Sequence, residues 1–98
     1  MKTPTDCNSL TDVRDAIDHV DEQIIALLGL RGDYVRAAAR FKTSEQEVAA
    51  PERQAAMLEA RRRWAMREGL DADFVENVYR DLIAHFIERE RDHWRSPR

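Results

Sequence analysis

Cysteine is nearly absent from the sequence: Cys7 is the only one, so no disulfide can close within the chain, which fits a reducing compartment. Strand-like alternation of apolar and polar residues is also missing, which argues against a sheet protein. Glycine and proline number three each, while Glu, Arg, Ala and Leu are abundant, a helical composition. There is no basic excess. The net charge of −3 argues against a nucleic-acid partner, because phosphate binding draws on a surplus of Lys and Arg. No apolar run approaches the length of a membrane span, and the opening "MKTPTDCNSLTD" lacks the apolar core of a signal peptide. These absences predict a cytoplasmic protein with no membrane partner. Internal repeats, low-complexity segments, glycine-rich phosphate loops and nucleophile motifs are missing as well. Ninety-eight residues make one domain, read as residues 1–98.

What is present is helical periodicity. A first helix is expected from about residue 10 to 42, with Ser9 as N-cap and Asp12 three residues on. Its stripe runs Val13, Ile17, Val20, Ile24, Leu27, Arg31, Tyr34, Ala38 and Phe41, steps of four and three that make a heptad seam. Such a helix is roughly 48 Å long, too long to be covered by so short a chain. A second copy is the simplest cover, so an intertwined homodimer is expected. The segment "TSEQEVAAP" breaks the pattern and reads as a loop. Pro51 suits the first position of a second helix that ends at Gly69. Asp71 then caps a third, whose apolar face carries Phe74, Val75, Val78, Tyr79, Leu82, Ile83, Phe86, Ile87 and Trp94. The fold expected is all-α, with one long and two shorter helices per chain.

Several charged residues break this pattern. Arg31 occupies a seam position, and a buried guanidinium needs an anionic partner. That partner can be a carboxylate across a dimer or a bound molecule. Gly29 and Gly32 flank it and each weakens the helix by about 1 kcal/mol relative to Ala; they leave room for a ligand or for close helix packing. Glu90 lies on or beside the apolar stripe of the third helix, where burial would keep a carboxyl protonated to higher pH; taken alone, an exposed residue among "ERERDH" is the better account. Arg53 falls in the first turn of the second helix, where the helix dipole disfavours a cation unless both face an anion; salt bridges to Glu45, Glu47 or Glu52 are the plainer account. Arg14 has Asp18 four residues on as an ordinary surface partner, and Lys42 suits a helix C-terminus without any ligand. The E-x-x-H formed by Glu90 and His93 resembles a di-iron motif, but the other inward glutamates are missing, so no metal is expected. His19 and His85 have no ligand-like neighbours. The basic run Arg61-Arg62-Arg63 on an acidic chain reads as a solvated face.

Taken in order, "DVRDAIDHVDEQIIALLGLR", "YVRAAARFK" and "APERQAAM" resemble the small all-helical chorismate mutases. The start "MKTPTDC", the phrase "PERQAAM" and the ending "HWR" are similar to one branch of them, the isochorismate pyruvate lyases of salicylate and siderophore biosynthesis. The resemblance covers nearly the whole chain. It implies an intertwined dimer with two equivalent sites, each built mainly from one chain with Arg14 reaching in from the other. It implies that Arg31 and Arg14 hold two substrate carboxylates, that Lys42 lies beside the ether oxygen, and that Arg53 adds positive charge near the substrate. Val35, Met57, Ile83 and Ile87 would line an apolar wall, and residues 43–50 would close over the site. The substrate implied is a small dicarboxylate, isochorismate or chorismate, and the reaction a pericyclic step without cofactor or metal. Glu90 departs from the branch, which commonly carries glutamine there to donate a hydrogen bond near the ether oxygen. A glutamate does so only when protonated, and some chorismate mutases carry glutamate at this place, so the resemblance implies either an acid-favoured activity or a shift toward mutase chemistry.

Two other readings fit the same residues. One is a chorismate mutase that makes prephenate. The other, of a different class, is a non-catalytic helical dimer or an RNA-binding module using the basic second helix.

Overall fold

The computed structural model of the chain describes residues 2–42 and 51–95, with the side chains of 90–95 left aside. Among the described residues there are three α-helices, α1 (Leu10–Ala39), α2 (Pro51–Arg67) and α3 (Ala72–Arg95), preceded by a 3₁₀ turn at Pro4–Asp6. No strand occurs among the described residues, in keeping with the all-α expectation. Among the described residues no helix is long and apolar enough to cross a membrane.

The ends of the helices follow local chemistry. At the start of α1 the Asp12 amide donates to Ser9 Oγ at 3.0 Å, which satisfies one of the amides a helix leaves unpaired. The Asp12 carboxylate reaches back to the Asn8 amide at 3.0 Å and also takes Lys2 Nζ at 2.9 Å. The Asn8 amide, then Lys2, hold this carboxyl below its usual range. Helix α2 opens on Pro51 and closes in a Schellman motif. The Leu70 amide bonds Ala65 O at 2.8 Å and the Gly69 amide bonds Met66 O at 3.2 Å. Gly69 itself has φ +74°, the left-handed conformation that favours a residue without Cβ. Asp71 caps α3, its Oδ1 accepting from the Asp73 amide at 3.0 Å.

The end of α1 differs from the sequence expectation of residue 42. The regular helix stops at Ala39. Residues 40–42 tighten into i→i−3 hydrogen bonds, Arg40 to Ala37, Phe41 to Ala38 and Lys42 to Ala39, at 3.0–3.3 Å. Such bonds serve the last carbonyls of a helix whose i+4 donors have run out. The apolar spacing persists through Phe41, but spacing cannot distinguish an α turn from a 3₁₀ turn. The expected loop at residues 43–50 lies outside the described residues.

The chain divides into two compact units, residues 1–34 and 35–98. In the first, the N-terminal segment folds back on α1, and the seam is open. Val13, Ile17, Val20, Ile24 and Leu27 are 39–63% exposed. A groove of about 290 Å³ runs along Val13, Ile17 and Val20 beneath Pro4 and Cys7. In the second unit α2 packs on α3. Its core is small: Met57, Leu58 and Ile83 are buried together, with Tyr79 and Ile87 packed against them. Ile83→Ala is therefore expected to cost about 2–4 kcal/mol, since deleting most of a buried side chain leaves a cavity as well as losing transfer energy. The denaturant midpoint would show it, and a change below about 0.5 kcal/mol would mean that Ile83 is not core.

Candidate active site

The residues singled out in the sequence fall in both units. In residues 1–34, Arg14 is exposed on α1 and makes no ion pair among the described residues, the expected Asp18 contact included. Arg31 is half-buried and its Nη1 is buried. Seventeen residues separate Arg14 from Arg31 along one helix, about 26 Å at 1.5 Å per residue.

In residues 35–98, Val35 and Lys42 are half-buried. Lys42 ends the 3₁₀ turn that closes α1, so its backbone is fixed by the Ala39 carbonyl. Arg53 is exposed in the first turn of α2 and makes no ion pair with Glu52 among the described residues. Met57 and Ile83 come together in the buried cluster, and Ile87 packs on its edge. The structure thus unites three of the four residues expected to form an apolar wall. Glu90 belongs to α3 by its backbone, but its side chain, and with it the expectation of a raised pKa, lies outside the described residues. Among the described residues no group of three or more His, Cys, Asp and Glu is placed to hold a metal ion.

The basic run of α2 is not a uniform solvated face. Arg61 lies with its guanidinium carbon 4.6 Å from the Trp64 ring centre and 5.5 Å from that of Tyr79. Arg62 Nη1 bridges Asp73 Oδ1 at 2.8 Å and Glu76 Oε1 at 3.0 Å. Arg63 makes a looser contact to Glu59 at 3.5 Å on its own helix. Consecutive helical residues point about 100° apart, so three arginines in a row reach three environments. The signal available in sequence was that geometry, together with Asp73 and Glu76 on one side of α3.

Glu76 also pairs with Arg80 at 2.8 Å. Arg80 first, then Arg62, hold its carboxyl below the usual range, and Asp73 and Glu76 in turn raise the Arg62 pKa. A carboxyl whose pKa is lower folded than unfolded binds protons more readily in the unfolded chain. Its contribution is complete above the unfolded pKa and disappears as pH falls through the folded one. Glu76→Gln is expected to flatten the loss of stability below about pH 4.5. Unfolding curves at pH 3–7 would test this, and an acid limb unchanged by the substitution would refute it.

These observations place the chain in a class: an all-helical protein with cations on α1 and α2 and an apolar α2–α3 cluster. Residues 13–91 match the family chorismate mutase type II, and the chain belongs to that family. It is 52% identical over 98 residues to the isochorismate pyruvate lyase of Pseudomonas aeruginosa, covering 100% of this chain and 97% of that protein. It is 38% identical over 76 residues to the T-protein of Haemophilus influenzae, and 34% identical over 84 residues to that of Enterobacter agglomerans. Those matches span 20% and 22% of the T-proteins.

Proposed function

We propose that this chain is an isochorismate pyruvate lyase. The observation that carries the reading is the match at 52% identity over essentially the full length of both chains to a protein of that activity. Salicylate and pyruvate together contain every atom of isochorismate, so the reaction needs no co-substrate. The ether C–O bond breaks as a ring hydrogen passes to the side-chain methylene. The ether oxygen becomes the pyruvate carbonyl oxygen, and the ring becomes aromatic.

Such a step needs conformational restraint and charge stabilisation more than acid–base machinery. Arg31 and Arg14 bind the two carboxylates through charge-assisted hydrogen bonds. Lys42 stabilises negative charge that develops on the ether oxygen. Arg53 adds positive charge, and Val35, Met57, Ile83 and Ile87 press the side chain over the ring. Glu90, when protonated, donates to the ether oxygen. Activity then falls as pH rises, and Glu90→Gln removes that fall. The reading places the enzyme in the cytoplasm and requires no nucleic acid; Arg61 and Arg62 already serve contacts within the α2–α3 pair.

The working unit is a homodimer. The open seam on α1 supports this, as does the span of about 26 Å between Arg14 and Arg31. One small dianion cannot bridge that distance, which supports the arrangement the resemblance implies, with the Arg14 of each site coming from the second copy.

The family description favours one further reading, a chorismate mutase. Purified protein given isochorismate and chorismate separately, across pH 5–8, separates the two. Salicylate fluorescence from isochorismate supports the lyase, with any prephenate from chorismate a minor activity of the same site. Prephenate alone would make the chain a mutase, and neither product would leave a non-catalytic dimer.

A further inference from the structure

The buried cluster joining α2 to α3 consists of Met57, Leu58 and Ile83, with Tyr79 and Ile87 at its edge. So small an apolar contact restrains the distance between two helices more firmly than their roll, because rolling exchanges one apolar contact for another. Polar contacts on the flanks can supply the missing restraint. Arg61 and Arg62 leave α2 about 100° apart. The Arg61 guanidinium meets the Tyr79 ring, and Tyr79 itself packs on the cluster. Arg62 crosses to α3 and joins Asp73 and Glu76, one turn apart, through a single nitrogen. Glu76 is the less exposed of these two carboxylates, at 23%, and is further fixed from behind by Arg80. The bridge therefore ends on an oriented anion on α3.

Met57 lies five residues before Arg62 on the same helix, and Ile83 and Ile87 lie seven and eleven beyond Glu76 on the other. A roll of α2 would displace Met57 sideways across them. We propose that Arg62 is a positioning residue: its bridge to Asp73 and Glu76 sets the roll of α2 on α3 and so holds Met57 against Ile83 and Ile87 in the wall that compresses the substrate. This rests on the lyase reading for its catalytic consequence but not for its structural one.

The test compares Arg62→Gln, Arg62→Lys and Arg80→Gln with the unaltered protein. Arg62→Gln keeps most of the stem and removes the charge. It is expected to lower kcat for salicylate formation about tenfold with KM changed less than about threefold, because misplacement affects the reacting geometry more than carboxylate binding. Arg62→Lys restores kcat to within about threefold, since one nitrogen makes both contacts and an ammonium can replace it. Arg80→Gln loosens the Glu76 end of the bridge but leaves the crossing from α2 to α3 in place, and it lowers kcat by less than about threefold. Rates are taken well below the unfolding temperature of each variant, so that lost stability alone does not register. Nuclear Overhauser contacts between the Met57 methyl and the Ile83 and Ile87 methyls give a readout independent of activity. They should weaken in Arg62→Gln and persist in Arg62→Lys. Unchanged methyl contacts in a folded Arg62→Gln, or unchanged kcat in an active one, would overturn the proposal. Should Arg62→Gln not fold, Glu76→Gln takes its place with the same expectations. Failure of the unaltered protein to form salicylate would refute the lyase reading alone, and the methyl contacts would still decide the role of Arg62.

Discussion

Lys42→Ala is expected to reduce salicylate formation by about a hundred- to a thousandfold while the helices remain folded. The size follows from the charge that this cation faces. When the ether bond breaks, negative charge accumulates on one oxygen, and removing a preorganised donor from such a position typically costs about 3–4 kcal/mol of transition-state stabilisation. The loss should fall on kcat more than on KM, because the interaction strengthens only as the bond breaks. Folding should survive. Lys42 lies beyond the regular end of α1, and its backbone hydrogen bond to Ala39 is one that alanine retains. Far-ultraviolet circular dichroism together with turnover at saturating isochorismate checks both halves. A Lys42→Ala protein with near-normal kcat would remove Lys42 from the chemistry and leave Arg31 and Glu90 to account for it.

Much of this could be read from the sequence, and the rest escaped for physical reasons. The helix starts were legible because capping is local: Ser9 with Asp12, and Asp71 with Asp73, satisfy amides two or three residues away. Gly69 was legible because a left-handed φ strongly favours glycine. The end of α1 was not, since Phe41 keeps the apolar spacing while the backbone tightens beneath it. Arg31 stood out because a cation on an apolar stripe contradicts burial, and that contradiction is visible without structure. Arg61 and Arg62 did not stand out. A run of like charges reads as one property, whereas the helix separates its members by direction and hands each to a different partner. The Met57–Ile83 contact joins two helices, and periodicity within each could mark both as apolar without showing that they meet.

A second large effect follows from the span of α1. Arg14→Ala and Arg31→Ala are each expected to lose at least about thirtyfold in kcat/KM as homodimers, since each removes a cation from a substrate carboxylate and such losses cost about 2–5 kcal/mol. Their heterodimer should recover. If each site takes Arg31 from one protomer and Arg14 from its partner, the mixed dimer holds one site with both arginines and one with neither. Purified heterodimer, made by co-expression with two different tags, should then work at about half the unaltered rate. If both arginines of a site came from one chain, every site in the mixture would lack one of them and activity would stay at the level of the single variants. The second arrangement requires α1 to bring together residues about 26 Å apart on one continuous helix, which a regular helix cannot do. Recovery would establish the dimer and the origin of Arg14 in a single assay. Absence of recovery, with heterodimer formation verified by both tags, would mean that Arg14 acts outside the substrate site, and the second carboxylate would then fall to Arg53, exposed in the first turn of α2 and making no ion pair with Glu52 among the described residues.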